Sequence, residues 1–257
     1  MSKEVTIDTS GIYYKELNEQ INEIIKDNPD LERITLNNVL GQRFIGNGIS
    51  KNNLTIVING IPGGDLAMFM KGPRVEVYGN ADHAPGNTLD EGKVIIHGSS
   101  GDATGHSMRG GSVYVQGSVG YRSGIHMKEY KGKTPVLVIG ETAGDFLGEY
   151  MAGGIIINLN MQSEDTEFVK NSMLGTGIHG GVIYIRGKVN ESQLGVAADI
   201  KEFKKEDLEK ITYYIEDYCN EFNYSDEIKN KLLNSNYTKI APISSRPFKK
   251  LYTPDIR

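Results

Sequence analysis

Four segments of alternating side chains recur along this chain at one interval. They are residues 54–60 (LTIVING), 74–79 (RVEVYG), 93–98 (KVIIHG) and 112–117 (SVYVQG). Their closing glycines, Gly60, Gly79, Gly98 and Gly117, are evenly spaced and define a 19-residue interval. Two and four places before each glycine stand Ile58 and Ile56, Val77 and Val75, Ile96 and Val94, and Val115 and Val113, all β-branched. The intervening positions are mixed. Strand side chains point alternately to opposite faces, so each segment predicts a strand with one apolar side, and the fixed interval predicts the coils of a solenoid.

The pattern continues with insertions. Residues 135–140 (PVLVIG) predict Val136 and Val138 inside, with Gly140 later than the interval requires and the excess looped out around 126–133. Residues 154–159 return to the interval with Ile155 and Ile157 inside and Leu159 in the glycine place. A polar, acidic excursion over 161–173 precedes 182–187, which predicts Ile183 and Ile185 inside. Gly41 precedes Gly60 by the same interval, so a divergent coil is expected over 34–40 in an unassigned register. A second apolar wall is predicted at Phe69, Leu89, Met108, Met151 and Ile178, just before Gly72, Gly92, Gly111, Gly154 and Gly181. The glycines between the walls suit corners, where positive φ or close backbone approach is needed.

Helical spacing appears only at the two ends. Residues 14–26 place Leu17, Ile21, Ile24 and Ile25 on one face, with Thr9 and Ser10 as candidate caps and Asn28-Pro29 as a stop. A helix here would cover the first coil, which otherwise exposes apolar surface and a free strand edge. Residues 204–222 and 225–233 read as helices, the first with Leu208, Ile211, Ile215 and Tyr218 on one face and the second with Ser225 as N-cap. From 237 to the end, three prolines (Pro242, Pro247, Pro254) and a basic excess (Lys239, Arg246, Lys249, Lys250 and Arg257 against Asp255) predict an extended arm. With no helices between the central strands, a βαβ sheet is disfavoured. The expected fold is an all-β solenoid, a right-handed parallel β-helix of about seven coils with a helical N-terminal cap and C-terminal helices. Its parts are a lead-in and capping helix (1–33), the β-helix (34–190), and helices with a basic tail (191–257).

Composition narrows the function classes. The 31 glycines lack the third-residue spacing of collagen, and 38% hydrophobic with 24% charged residues marks a globular chain. A net charge of −5 gives no footprint for nucleic acid. No apolar run approaches the roughly 20 residues that span a bilayer, and residues 1–6 lack a secretory core, so a cytoplasmic protein without membrane or nucleic-acid partners is expected. The single cysteine, Cys219, excludes an internal disulfide or a multi-cysteine metal centre; within an amphipathic helix it reads as packed rather than nucleophilic.

Four kinds of chemistry come into question. The glycine-rich segments lead to strands rather than to a helix N-terminus, and no Gly-Lys-Ser/Thr follows, which argues against phosphate binding. His83, His106 and His126 fall in corners, where stacking could assemble a metal site; corner hydrogen bonding is preferred for all five histidines, His97 and His179 included, because nothing supplies further ligands. Asp65, Asp82, Asp102 and Asp145 recur near one corner. A ladder of this kind could bind Ca²⁺ or cleave polysaccharide, but aspartate is also a favoured turn-capping residue. Glu149-Tyr150-Met151 is the densest reactive cluster near a corner, yet its carboxylate has no evident partner. No residue is assigned to catalysis, cofactor or metal.

Residues 39–187 resemble the C-terminal β-helix domain of the glutamate synthase large subunit, with its repeated G-x-x-G-x-x-x-G motif. The matching segments are 40–44 (LGQRF), 79–82 (GNAD), Gly117 to Gly124 and, most specifically, 144–154 (GDFLGEYMAGG). Formylmethanofuran dehydrogenase carries a similar coil in its C chain. The resemblance implies a non-catalytic scaffold, a stand-alone form of that domain in a split glutamate synthase-type oxidoreductase of glutamate biosynthesis. Its expected partners are glutaminase and FMN-barrel subunits, with FMN and an iron–sulfur cluster on them and no cofactor on this chain; a homo-oligomer is left open. The alternatives are a formylmethanofuran dehydrogenase-type component and a carbohydrate-active β-helix protein.

Overall fold

A computed structural model describes residues 3–244. Nine parallel strands stack in sequence order: β1 (Glu4–Asp8), β2 (Arg33–Leu40), β3 (Thr55–Ile61), β4 (Lys71–Tyr78), β5 (Glu91–Ile96), β6 (Ser112–Val115), β7 (Val136–Ile139), β8 (Ala152–Asn158) and β9 (Gly180–Arg186). The chain is a β-solenoid of about six turns, close to the number expected. Ile56 pairs with Val75, Val75 with Val94 and Val94 with Val113, so the interval of the sequence is the register of the sheet. Ile34 pairs with Ile56, which fixes the first coil, and a bulge between Asn37 and Val39 explains its divergence.

The helix α1 (Tyr14–Asp27) forms the crossover from β1 to β2 and buries Leu17 and Ile21 beside Ile7, Leu31 and Ile34 in the inner core. It therefore caps the first coil as expected. Its N-terminus does not use the expected caps. Tyr13 occupies the N-cap without a side-chain bond, while Thr9 Oγ1 donates to Asn37 O (3.0 Å) and Ser10 Oγ to Asp8 Oδ1 (2.7 Å).

The inner pairs of β3 to β6 are fully buried in one core, as are Ile183 and Ile185. The assignments in β7 and β8 are corrected by one residue. Val115 pairs with Ile139, so Leu137 and Ile139 point inward, followed by Ile156 and Asn158. Val136, Val138, Ile155 and Ile157 point outward into a second core. The cause is α2 (Lys205–Glu221), which lays Ile211, Ile215, Tyr218 and Cys219 on the outer face of these strands. Strands buried on both faces lose their alternation, and a one-residue slip then exchanges every side chain between faces. Gly140 marks the same contact. A Cβ there would lie 2.2 Å from the Tyr218 hydroxyl and 2.1 Å from Gln116 O, so it is excluded both by α2 and by the backbone of the previous coil. In the second wall, Met70 replaces the expected Phe69: Met70, Leu89, Met108, Met127, Met151 and Ile178 are inaccessible, and Phe69 is exposed.

Charges fix the C-terminal end of α2. Glu221 accepts from Arg74 (2.9 and 2.6 Å) and Lys93 (2.8 Å), and Asp217 accepts from Lys93 (2.7 Å) and the Tyr114 hydroxyl (2.8 Å). Burial alone would raise the Glu221 carboxyl, but these donors and their charge outweigh it and bring it down to about 2. The helix α3 (Asp226–Leu233) starts at the expected cap, with Ser225 Oγ accepting from Ile228 N. Two further strands complete the sheet, β10 (Ala198–Lys201) at the edge and β11 (Tyr237–Pro242), which lies antiparallel between β9 and β10. The first part of the expected basic arm is thus a strand. Arg246, Pro247, Lys249, Lys250, Pro254, Asp255 and Arg257 lie outside the described residues.

Gly140→Ala is expected to destabilise by about 1–3 kcal/mol through overpacking against α2. Gly132→Ala, at φ +76° with open space around it, should cost about 1 kcal/mol from backbone strain alone; chemical denaturation of both variants compares the two. The depressed Glu221 carboxyl adds stability that is complete above its ordinary value of 4.5 and is lost as pH falls toward 2. Between pH 5 and 2.5 the wild type should therefore lose on the order of 2–3 kcal/mol more than Glu221→Gln in urea titrations.

Candidate functional site

The most chemically loaded surface is one corner of the solenoid, and its backbone explains its shape. At seven successive corners, three alternate residues take left-handed dihedrals: 44/46/48, 65/67/69, 84/86/88, 103/105/107, 122/124/126, 146/148/150 and 173/175/177, all with φ between 51° and 80°. Only the central place is reserved for a residue without a bulky side chain, glycine in six coils and Ala67 in the other. A Cβ at Gly124 would lie 2.3 Å from Ile156 Cδ1, and one at Gly148 would lie 2.6 Å from Ile183 Cδ1. Apart from Gly48 and Gly177, the outer two places carry ordinary side chains, Phe146 and Tyr150 among them, each at a cost of about 1–2 kcal/mol. Hydrogen bonding offsets that cost. Ala84 N donates to Asp102 O of the next coil (2.8 Å), Gly86 N to Leu66 O of the previous one (2.8 Å) and Thr88 N to His106 O of the next (2.7 Å). The pattern repeats at 103/105/107 and 122/124/126.

This corner lifts a row of polar and aromatic groups into contact between coils. Asn87 Nδ2 donates to Asp65 Oδ1 (2.9 Å), His106 Nδ1 meets Asn87 Oδ1 (3.1 Å), His106 and His126 stand edge to face with centroids 6.0 Å apart, and His126 stacks on Tyr150 at 5.4 Å. Burial and then the neighbouring His126 hold the His106 imidazole below its ordinary value. Glu149 is buried, with Arg122 Nε 2.7 Å from Oε2 as an ion pair rather than an aligned hydrogen bond. The Arg122 guanidinium also lies over Tyr121 (4.8 Å) and Phe146 (5.5 Å). Each group is engaged by its neighbours one coil away.

The structure brings together only part of what the sequence offered. His106 and His126 meet, whereas His83 sits beside Asp82, His97 stacks on Tyr78 (4.4 Å), and His179 Nδ1 lies 3.3 Å from Gly177 O. Among the described residues no group of three His, Cys, Asp or Glu could hold a metal ion. The aspartates are engaged by backbone and neighbouring side chains. Asp82 accepts from His83 N (2.8 Å), Asp102 from Tyr121 N (2.9 Å) and Asp145 from Ser172 N (2.7 Å), while Asp65 bonds Asn87 and pairs with Arg43 (3.7 Å). Cys219 is inaccessible on the packed face of α2, and burial pushes its thiol up to about 11. Two features escape the sequence. Arg122 pairs with Glu149 of the following coil, and an insertion in that coil hides the pairing from the 19-residue interval. Asn158 stands in the inner aliphatic stack between Ile139 and Ile185. Its polarity is a visible signal once the register of β8 is right.

A solenoid whose coils turn through a repeated left-handed corner, with glycine at its centre, defines the class of protein. The family model for the GXGXG motif matches residues 15–243, and the chain belongs to that family. The match extends from α1 through β11, so the capping helix and the C-terminal helices fall within it. The chain is also similar to an uncharacterised protein of Methanocaldococcus jannaschii, 66% identical over 256 residues that cover 99% of this chain and 98% of that protein. Among the described residues, no helix is long and apolar enough to cross a membrane.

Because burial holds Cys219 protonated, its reaction with a disulfide reagent at pH 8 should be at least on the order of 100-fold slower in the native protein than in denaturant. Stopped-flow thiol titration in the two conditions measures the ratio.

Proposed function

We propose that this chain is a non-catalytic structural subunit of a split glutamate synthase-type oxidoreductase, acting in glutamate biosynthesis as a rigid body on which glutaminase and FMN-barrel subunits are positioned. Membership of the GXGXG family across residues 15–243 carries this reading, together with the resemblance of 144–154 to the β-helix domain of the glutamate synthase large subunit. The relative from M. jannaschii, matched over 98% of its length, supports a separate polypeptide of this size. The arrangement of the corner supports a scaffold as well, since its reactive groups are consumed in contacts between coils. FMN and an iron–sulfur cluster would then reside on the partner subunits.

Affinity purification of the tagged chain from its native source, at physiological expression, tests the proposal. Recovery of a glutaminase-type chain and a flavoprotein, with flavin and iron–sulfur absorbance in the eluate, is the expected result. Recovery of the chain by itself, or with molybdenum- or tungsten-containing partners, would overturn it.

A further inference from the structure

The long crossover from β8 to β9 lines a cavity that the corner does not explain. Ile156 pairs with Ile183, and the extra chain over 161–173 borders a partly open cavity of about 120 Å³ together with Thr142, Ala143, Asn158 and Asn160. Three asparagines line it, and each is more than nine-tenths buried: Asn158 is 2% exposed, Asn160 5% and Asn171 8%. Burying so many amides is costly unless their hydrogen bonds are made. Here they are made only in part. Asn158 Nδ2 donates to Glu141 O (2.6 Å) and Asn160 Nδ2 reaches Arg186 O (3.3 Å). Among the described residues nothing donates to the Oδ1 atoms of Asn158, Asn160 or Asn171, and Asn171 Nδ2 is buried without a partner.

The wall is held from behind. Buried Arg186 donates to Asn160 O (3.2 Å) and Ser163 O (2.7 Å), and Gln193 Nε2 donates to Val169 O (2.7 Å) and Asn171 O (2.8 Å). The cavity is therefore fixed by the fold and not by its own free groups. Lys170 is the one charged residue among those lining it, and it is exposed.

We propose that this cavity is a binding site for a small neutral ligand bearing a primary carboxamide. Among the described residues, three amide oxygens, those of Asn158, Asn160 and Asn171, are open to donors, and the buried Asn171 Nδ2 amino group lacks an acceptor. A primary carboxamide offers two N–H groups and one C=O, and acetamide has about the volume for a space that would otherwise hold about four waters at ~30 Å³ each. A carboxylate cannot donate to Asn158 and Asn160, and an ammonium ion cannot accept from Asn171. The site does not depend on the proposed scaffold role.

Titration of the ¹⁵N-labelled full chain with acetamide, acetate and ammonium, followed by NMR at the side-chain amides, tests this. The expected result is a saturable acetamide shift at Asn158, Asn160 and Asn171 with a Kd of about millimolar, as befits so small a ligand. Acetate and ammonium should give none, and Asn171→Leu should weaken acetamide at least tenfold while its Tm stays near that of the wild type. If Asn171→Leu does not fold, the wild-type ligand series decides. Non-saturable shifts, equal response to acetate or ammonium, undiminished binding by a folded Asn171→Leu, or a crystal soaked in acetamide that shows waters alone would each overturn the proposal.

Discussion

The constraint on which the structure rests is the left-handed corner. A coil that turns through three residues with positive φ would be strained by several kcal/mol on its own. Placed in a stack, the same geometry aims alternate N–H groups at the coil above and the coil below, as at Ala84, Gly86 and Thr88. Strain within a coil is thus compensated only between coils. Inner side chains impose the same dependence, because the Ile56, Val75, Val94, Val113 ladder buries no surface until its neighbours are in register. The consequence is a body in which no coil is independent, as expected of a solenoid.

The second organising contact is α2 on the outer face of β5 to β9. It covers Val136, Val138, Ile155 and Ile157, requires glycine at 140, and is fixed at its end by Glu221 between Arg74 and Lys93. Helix α1 and the β10–β11 pair close the two ends of the stack, so strand edges that could template further pairing are short. These closures lie within the region that matches the GXGXG family.

Where polar residues mark the outer positions of the repeat, the fold reads directly from the sequence. Glu76, Gln116 and Asn59 tell inside from outside, and β3 to β6 come out in register. Where α2 covers the outer face, 136–139 and 155–157 contain no polar residue, and the glycine at 140, which reads from the repeat as a close approach between coils, also makes room for Tyr218. The corner itself is legible only at its central glycines. Its outer places include Thr88, Arg122, Phe146 and Tyr150, residues that ordinarily avoid positive φ, and their conformation is set by bonds to other coils. The chemistry follows the same rule. Capping by Asp82 at His83 N follows from a local preference of the residue type, whereas Asp102 and Asp145 accept from Tyr121 N and Ser172 N of the following coil, and the Glu149–Arg122 pair and the Asn158, Asn160, Asn171 cavity become legible only once two insertions are placed.

The positioning role proposed above would draw on surfaces held at fixed spacing by the ladder beneath them. The ladder can be tested amide by amide. Native-state hydrogen exchange of the corner N–H groups of Ala84, Gly86, Ala103 and Gly105 should give protection within about tenfold of Val94 and Val113 in the strands. Exchange of these corner amides at the rate of an open loop, with the strands still protected, would contradict the account.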